Sequence, residues 1–170
     1  MSRKQFGLVG RNISYSFSKN YFTERFQKEE AQECTYENFD IQNIDEFPEI
    51  IKNNPDLIGL NVTIPYKEVV IPFLDELSER ASKMKAVNVI KITKEGFLKG
   101  DNSDYYGFKK SLEPLLQSYH KNALILGTGG ASKAVAFALE ELGISYIYVS
   151  RKTSENSINY SQIDNALFDK

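Results

Sequence analysis

The sequence has little of several residue types on which sites and cross-links depend. It holds one cysteine, Cys34, so it can form neither a disulfide framework nor a cysteine-based zinc site. His120 is the one histidine, which leaves Cys34 without the base that a nucleophilic thiol needs. Cys34 therefore reads as an ordinary strand or core residue. The formal net charge is −2, too close to neutral for the basic field that nucleic acid or an acidic membrane surface requires. No apolar run approaches the roughly 20 residues of a spanning helix, and the run at the start is too short for a signal peptide. Repeats, low-complexity tracts and clusters of metal ligands are also missing, so no metal is expected. These shortages point to the cytoplasm, with neither a nucleic acid nor a membrane as partner.

What is present suits a globular fold. A chain of 170 residues, 41% of them hydrophobic, can bury a core without disulfides or metals. Strands are predicted at residues 6–9, 35–39 and 57–62, and a hairpin at 87–92 and 97–99 around Glu95-Gly96. Helices are predicted at residues 20–30, with Phe22 and Phe26 on one face, from Asp45 to the stop at Asn53-Asn54-Pro55, and at 79–85. Ile64-Pro65-Tyr66 is expected to turn the chain into a helix running to about Leu74. A further helix, from Asp104 to about Ser118, leads to a strand at 123–126, a tight loop at 127–130, a helix at 131–142 and a strand at 146–149. Ala131, Val135, Ala138, Leu139 and Leu142 form the apolar face of that last helix. The polar stretch 152–159 reads as a loop. Strands alternating with helices imply an α/β fold with a mixed or parallel sheet. Residues 1–103 read as one α/β domain, and 104–170 as a connecting helix with the start of a second.

The second beginning carries a glycine-rich turn between a strand and a helix, Gly127-Thr128-Gly129-Gly130-Ala131-Ser132. Gly127 allows the tight turn, Gly129 lets a pyrophosphate approach the backbone, and the helix N-terminus offers free N–H groups. Ser132 takes the place of the usual third glycine and is small enough for close helix–strand packing. The setting supports a Rossmann-type dinucleotide-binding domain; the plain alternative is an ordinary β–α turn. The next strand ends at Ser150-Arg151-Lys152, without the carboxylate that would bind the ribose hydroxyls of NAD. Arg151 and Lys152 can instead pair with a 2′-phosphate, which favours NADP, or can be two solvated basic residues. Only two strands of this sheet are evident where about six are usual. The natural protein is therefore expected to continue beyond Lys170.

Three polar segments stand out in the first domain. Ser16 and Ser18 lie two apart near a helix start, where both hydroxyls can bind an anion such as a carboxylate; alternatively Ser18 only caps the helix. In Asn61-Val62-Thr63-Ile64-Pro65-Tyr66-Lys67, alternation puts Asn61 and Thr63 on one face. Lys67 at the start of the predicted helix would oppose its macrodipole, a cost that suggests a role, although a surface lysine is the common case. In Gly100-Asp101-Asn102-Ser103-Asp104, Asp104 can cap the connecting helix, serve as a catalytic carboxylate, or do both.

Together with Ala86-Val87-Asn88 and the glycine loop, these segments resemble the shikimate dehydrogenase family in order and spacing over essentially the whole chain. The resemblance implies an N-terminal α/β substrate-binding and catalytic domain followed by the start of a Rossmann NADP-binding domain. It implies that Ser16 and Ser18 bind the substrate carboxylate with Thr63 nearby, that Asn88 and Asp104 bind ring hydroxyls, and that Asn61 shapes the pocket. Lys67 is implied as catalytic acid/base, paired with Asp104. The glycine loop, from Gly127 through Thr128, Gly129, Gly130 and Ala131 to Ser132, would hold the pyrophosphate, with Arg151 on the adenosine 2′-phosphate and Ser150 and Lys152 beside it as cofactor-binding residues. The sequence departs from the family at Tyr15, Lys19, Phe22 and Thr23, where His, Pro and a His-Asn pair are frequent, and at Ser150 and Lys152.

The implied reaction is reduction of 3-dehydroshikimate to shikimate by NADPH, in the chorismate route to aromatic amino acids. A ketone reduction needs a proton donor at oxygen, which Lys67 can supply while its charge steadies the alkoxide. A quinate/shikimate dehydrogenase using NAD or NADP is one alternative; a non-catalytic ligand-binding relative is another. The assembly, monomer or homodimer, stays open.

Overall fold

The computed structural model describes residues 3–151, 156–164 and 167. The chain divides into two compact units, Met1–Asn102 and Ser103–Lys170. Both are α/β.

The first unit is built on one six-stranded sheet. Its strands are β1 (Lys4–Gly10), β2 (Cys34–Asp40), β3 (Leu57–Val62), β4 (Glu76–Leu77), β5 (Val89–Ile92) and β6 (Leu98–Asp101), in the order β2-β1-β3-β5-β6-β4. β1 pairs in parallel with both β2 and β3, while β5 runs antiparallel to β3 and β6. Helix α1 (Ser18–Lys28) lays Phe22 and Phe26 over Leu8, Ile13 and Tyr36, as their i, i+4 spacing predicts. The main core lies among Val9, Phe47, Leu60, Val62, Val70 and Ile90, with Phe47 supplied by α2 (Phe47–Asn53). Ser78 caps α3 (Glu79–Met84) by accepting from the Ala81 N–H at 3.1 Å.

One predicted element is replaced. No α-helix runs from Lys67 to Leu74: residues 64–70 are a run of turns, followed by a short 3-10 segment at Ile71–Phe73. Pro72 explains this, since it has no N–H to return to the Glu68 carbonyl; the Ile71 N–H takes that carbonyl instead, at 3.2 Å. The macrodipole argument for Lys67 falls with the helix.

The second unit holds α4 (Asp104–Leu112), shorter than predicted because the chain tightens into a 3-10 turn at Glu113–Leu115 around Pro114. A parallel sheet follows, β7 (Asn122–Leu126), β8 (Ser145–Val149) and β9 (Ser157–Ile158), with α5 (Gly130–Glu141) between β7 and β8. It has three strands among the described residues where two were expected, since Ser157 and Ile158 pair with Tyr148 and Val149. Ile125, Ala136, Leu139 and Ile144 form its small core, with Val135 and Leu142 against it. Ala131 is exposed, outside the apolar face assigned to it.

Candidate active site

The register of the first sheet brings three of the predicted residues to one end. β1 and β3 both finish there, and antiparallel β5 begins there. Asn61 pairs with Val89, and the Val62 N–H donates to the Asn88 carbonyl at 2.8 Å. The Thr63 N–H donates to the Val9 carbonyl at 2.9 Å, which carries the chain past the strand end. Asn61, Thr63 and Asn88 are thus neighbours by sheet geometry alone. Lys67 joins them through its backbone: its carbonyl accepts from the Val87 N–H at 2.7 Å. Buried Tyr66 anchors the same turn, its hydroxyl donating to the Ile41 carbonyl at 2.7 Å.

Ser16 and Ser18 are half-buried and 3.2 Å apart through their hydroxyls, and the Ser18 N–H donates to Ser16 Oγ at 3.3 Å. Ser18 is the first helical residue rather than the cap; Phe17 holds the cap position and makes no side-chain cap bond. The loop that carries the serines is tied to the turn before Lys67, because the Arg11 N–H donates to the Ile64 carbonyl at 3.2 Å.

Sequence reasoning missed the residue that links these two groups. The Tyr36 hydroxyl donates to Asn61 Oδ1 at 2.9 Å and also interacts with the Ser18 hydroxyl. Burial pushes the Tyr36 phenol up to about 12, with Ser18 acting in the opposite direction. Alternation marks Tyr36 as inward, but nothing in the sequence says which partner its hydroxyl meets.

Asp101 and Asn102 are a second support. The Arg80 guanidinium grips Asp101 with two prongs, Nε to Oδ1 at 2.8 Å and Nη2 to Oδ2 at 2.6 Å. The Ser78 hydroxyl and the Asn102 N–H also donate to Oδ1, at 2.6 and 2.7 Å. With Arg80 as the main cause, and burial opposing it, the Asp101 carboxyl is held at about 2. Asn102 is fully buried and donates from Nδ2 to the Ala86 carbonyl at 3.0 Å, which fixes the run leading to Asn88. Both residues stood in the quoted Gly100–Asp104 run without a role.

In the second unit the glycine loop has the predicted shape. The Gly127 N–H donates to the Val149 carbonyl at 2.8 Å, and Gly127 has φ +106°, a conformation that requires glycine. Gly129 is the cap residue of α5, with no side-chain cap bond, and no acidic residue lies in the first turn. A Cβ built on Gly129 would meet nothing within 4 Å. This open backbone at the start of a 12-residue helix fits a pyrophosphate. Thr128 is exposed, and the Ser132 hydroxyl donates to the Gly129 carbonyl at 2.6 Å. The Ser150 N–H is used by the Ile158 carbonyl at 2.9 Å, and Arg151 is exposed. Lys152 lies outside the described residues.

Asp104 is half-buried as the first residue of α4; Ser103, not Asp104, is its cap residue. An acid in the first turn still suits the helix dipole. Lys67 belongs to the first unit and Asp104 to the second. A cavity of about 470 Å³ lies between α1 and β2; Tyr36 lines it, and none of the predicted site residues does. Among the described residues, no group of three or more His, Cys, Asp or Glu could hold a metal ion, and no helix is long and apolar enough to cross a membrane.

Comparison with known proteins follows the same division. Residues 8–90 match the family model described as the shikimate dehydrogenase substrate binding domain. Shikimate dehydrogenase (NADP(+)) of Caldicellulosiruptor bescii is 34% identical over 164 residues, which cover 94% of this chain and 56% of the relative. The chain thus spans little more than half the length of the curated relatives it matches. The crystal structure of shikimate dehydrogenase 1 from Peptoclostridium difficile matches with a TM-score of 0.80 at 33% identity, covering 91% of this chain and 58% of that one. Shikimate 5-dehydrogenase from Thermus thermophilus, in complex with NADP(H) and shikimate, matches with a TM-score of 0.76 at 30% identity, covering 88% and 56%. Residues 8–90 thus carry the substrate binding domain of the shikimate dehydrogenase family, and the chain is similar to shikimate dehydrogenases over most of its own length.

Proposed function

We propose that the natural protein is an NADP-dependent shikimate dehydrogenase of the cytoplasm, reversibly reducing 3-dehydroshikimate to shikimate. The observation that carries this reading is the convergence of Asn61, Thr63, Asn88 and the Lys67 backbone at one end of the first sheet. A small ring bearing a carboxylate and hydroxyls matches that set of donors and acceptors. Ser16 and Ser18 bind the carboxylate, assisted by Thr63. Asn88 binds ring hydroxyls, and Asn61 shapes the pocket.

The glycine loop holds the pyrophosphate of the cofactor, and Arg151 with Lys152 takes the 2′-phosphate. When bound, NADPH supplies the hydride. Lys67 holds the proton that reaches the carbonyl oxygen, and its charge steadies that oxygen as negative charge develops.

The test is the rate of NADP reduction by the full natural protein with shikimate. Turnover with shikimate and NADP is expected. No turnover with either shikimate or quinate, on either cofactor, would reject the enzyme reading. Faster turnover with quinate or with NAD would move the assignment to the quinate/shikimate branch.

A further inference from the structure

We propose that Tyr36 is a positioning residue of the substrate site: its buried hydroxyl fixes the Asn61 amide so that Asn61 offers Nδ2, not Oδ1, to a ligand. The proposal rests on the shikimate-binding reading of this site.

An asparagine amide carries an acceptor and a donor of almost equal size, so an untethered one can turn either to a ligand. Asn61 is tethered. Its Oδ1 accepts from the Tyr36 hydroxyl at 2.9 Å, which leaves Nδ2 as the group to present. Tyr36 can act as a fixed post because it has little freedom. It is 4% exposed, and its ring stacks on Phe22 with centroids 4.6 Å apart and planes 11° from parallel. Phe22 is held in turn by Phe26 and Tyr21 on α1. The sheet order makes the reach possible. β1 separates β2 from β3, and Tyr36 pairs with Phe6 while Asn61 pairs with Leu8, two residues further along the same strand. Tyr36 packs over Leu8 in the cluster under α1, so its long side chain crosses β1 to meet Asn61.

A donor amide suits a ring hydroxyl that also donates a proton to another acceptor. It also disfavours a ligand group that can only donate, since a donor facing a donor leaves both unpaired. The Tyr36 hydroxyl thereby contributes to the choice of ligand without touching it. A tyrosine that was merely a satisfied core residue would support the fold and leave ligand binding alone.

The experiment is Tyr36→Phe in the full natural protein, which keeps the ring and its stack and removes the hydroxyl. KM for shikimate should rise about 3- to 10-fold, the loss of one hydrogen bond's worth of order, while kcat changes less than about twofold. In an Asn61→Ala background the same substitution should raise KM by less than about twofold, because Tyr36 acts through Asn61. An equal rise in both backgrounds, or an unchanged KM in the first, would overturn the proposal. A second readout does not need turnover. The ¹⁵N–¹H signals of the Asn61 side-chain amide should move or broaden in Tyr36→Phe, with thermal melting confirming a folded protein. Unmoved signals would also overturn it. If the wild-type protein does not turn over shikimate, the enzyme reading fails while the amide signals still decide the role of Tyr36.

Discussion

A methyl group added at Gly10 in the first unit would sit 2.5 Å from side-chain carbons of both Ile13 and Thr63, whereas one added at Gly129 in the second would meet nothing within 4 Å. Gly7 and Gly100 are as enclosed as Gly10, and Gly127 is as open as Gly129. These glycines therefore serve different ends. In the first unit glycine, at Gly7, Gly10 and Gly100, lets strands and side chains close up, against Phe39, against Ile13 and Thr63, and against Leu74 and Leu77. In the second, it keeps backbone N–H groups uncovered at a helix start. A rigid ring with hydroxyls at set positions calls for the first kind of site, since preset geometry avoids ordering on binding. A pyrophosphate, recognised by charge and backbone, is served by the second.

If the first unit is the chemical half, the largest effect of any substitution should fall there and spare the cofactor. Lys67→Ala in the full natural protein should lower kcat about 10²–10⁴-fold, the usual range for general acid–base catalysis. KM for shikimate should move much less, because the benefit of Lys67 is realised mainly in the transition state. NADP affinity, followed by fluorescence, should stay within about twofold. Retention of more than about a third of wild-type kcat would remove Lys67 from the chemistry.

The glycine contrast itself gives the next effect. Gly10→Ala forces Ile13 and Thr63 apart and should cost about 1–3 kcal/mol in urea denaturation, as overpacking usually does. Gly129→Ala should leave stability within about 0.5 kcal/mol, since the new methyl meets no protein atom. It should nevertheless weaken NADP by about tenfold, a loss of about 1.4 kcal/mol, because the methyl stands where the backbone would meet phosphate. Equal destabilisation by the two substitutions, or unchanged NADP affinity in Gly129→Ala, would break the comparison.

Most of the framework was legible because its signals are local. β3 was expected at residues 57–62, where it is found, and the Phe22–Phe26 spacing foretold the face that α1 buries. The glycine turn was legible for the same reason: Gly127 has the positive φ that a tight β–α turn demands. The misses depended on features that local pattern does not carry. The turn at Ile64-Pro65-Tyr66 was expected to open a helix to about Leu74, but Pro72 removes a helical N–H and leaves turns. β4 and β9 are two residues each, too short for alternation to show. The role of Tyr36 depends on a partner 25 residues away, across an intervening strand. Asp101 and Asn102 were visible as members of a motif, but the grip of Arg80 and the bond to Ala86 exist only in the fold.

Asp101 gives the smallest expected effect and the one that most sharpens the difference between the units, because it asks whether the first site's rigidity depends on charge. Its carboxyl is held at about 2 against an ordinary 3.8, so the folded state binds the proton less readily than the unfolded one. The contribution to stability is therefore fully present above about pH 4 and is lost as the pH falls through about 2. Side-chain exposures of 35% for Asp101 and 46% for Arg80 mean that water screens the pair. The effect should accordingly be on the order of 1 kcal/mol, less than the full shift would imply. Asp101→Asn should show that loss in urea denaturation at pH 7. The gap from wild type should narrow from about pH 4 downward and almost close near pH 2. Hydrogen exchange at pH 7 locates the effect. The Asn102 N–H meets a neutral amide oxygen in place of the carboxylate, a weaker acceptor, and the Asn88 N–H, bonded to the Asp101 carbonyl at 3.0 Å, has a less firmly held partner. Both should exchange about fivefold faster, the factor that 1 kcal/mol allows. Ile125 in β7 of the second unit should keep its rate. A gap that is the same at pH 7 and pH 2 would mean that the shape of Asp101, not its charge, anchors the loop before Asn88. Faster exchange at Ile125 as well would mean that the two units do not open independently.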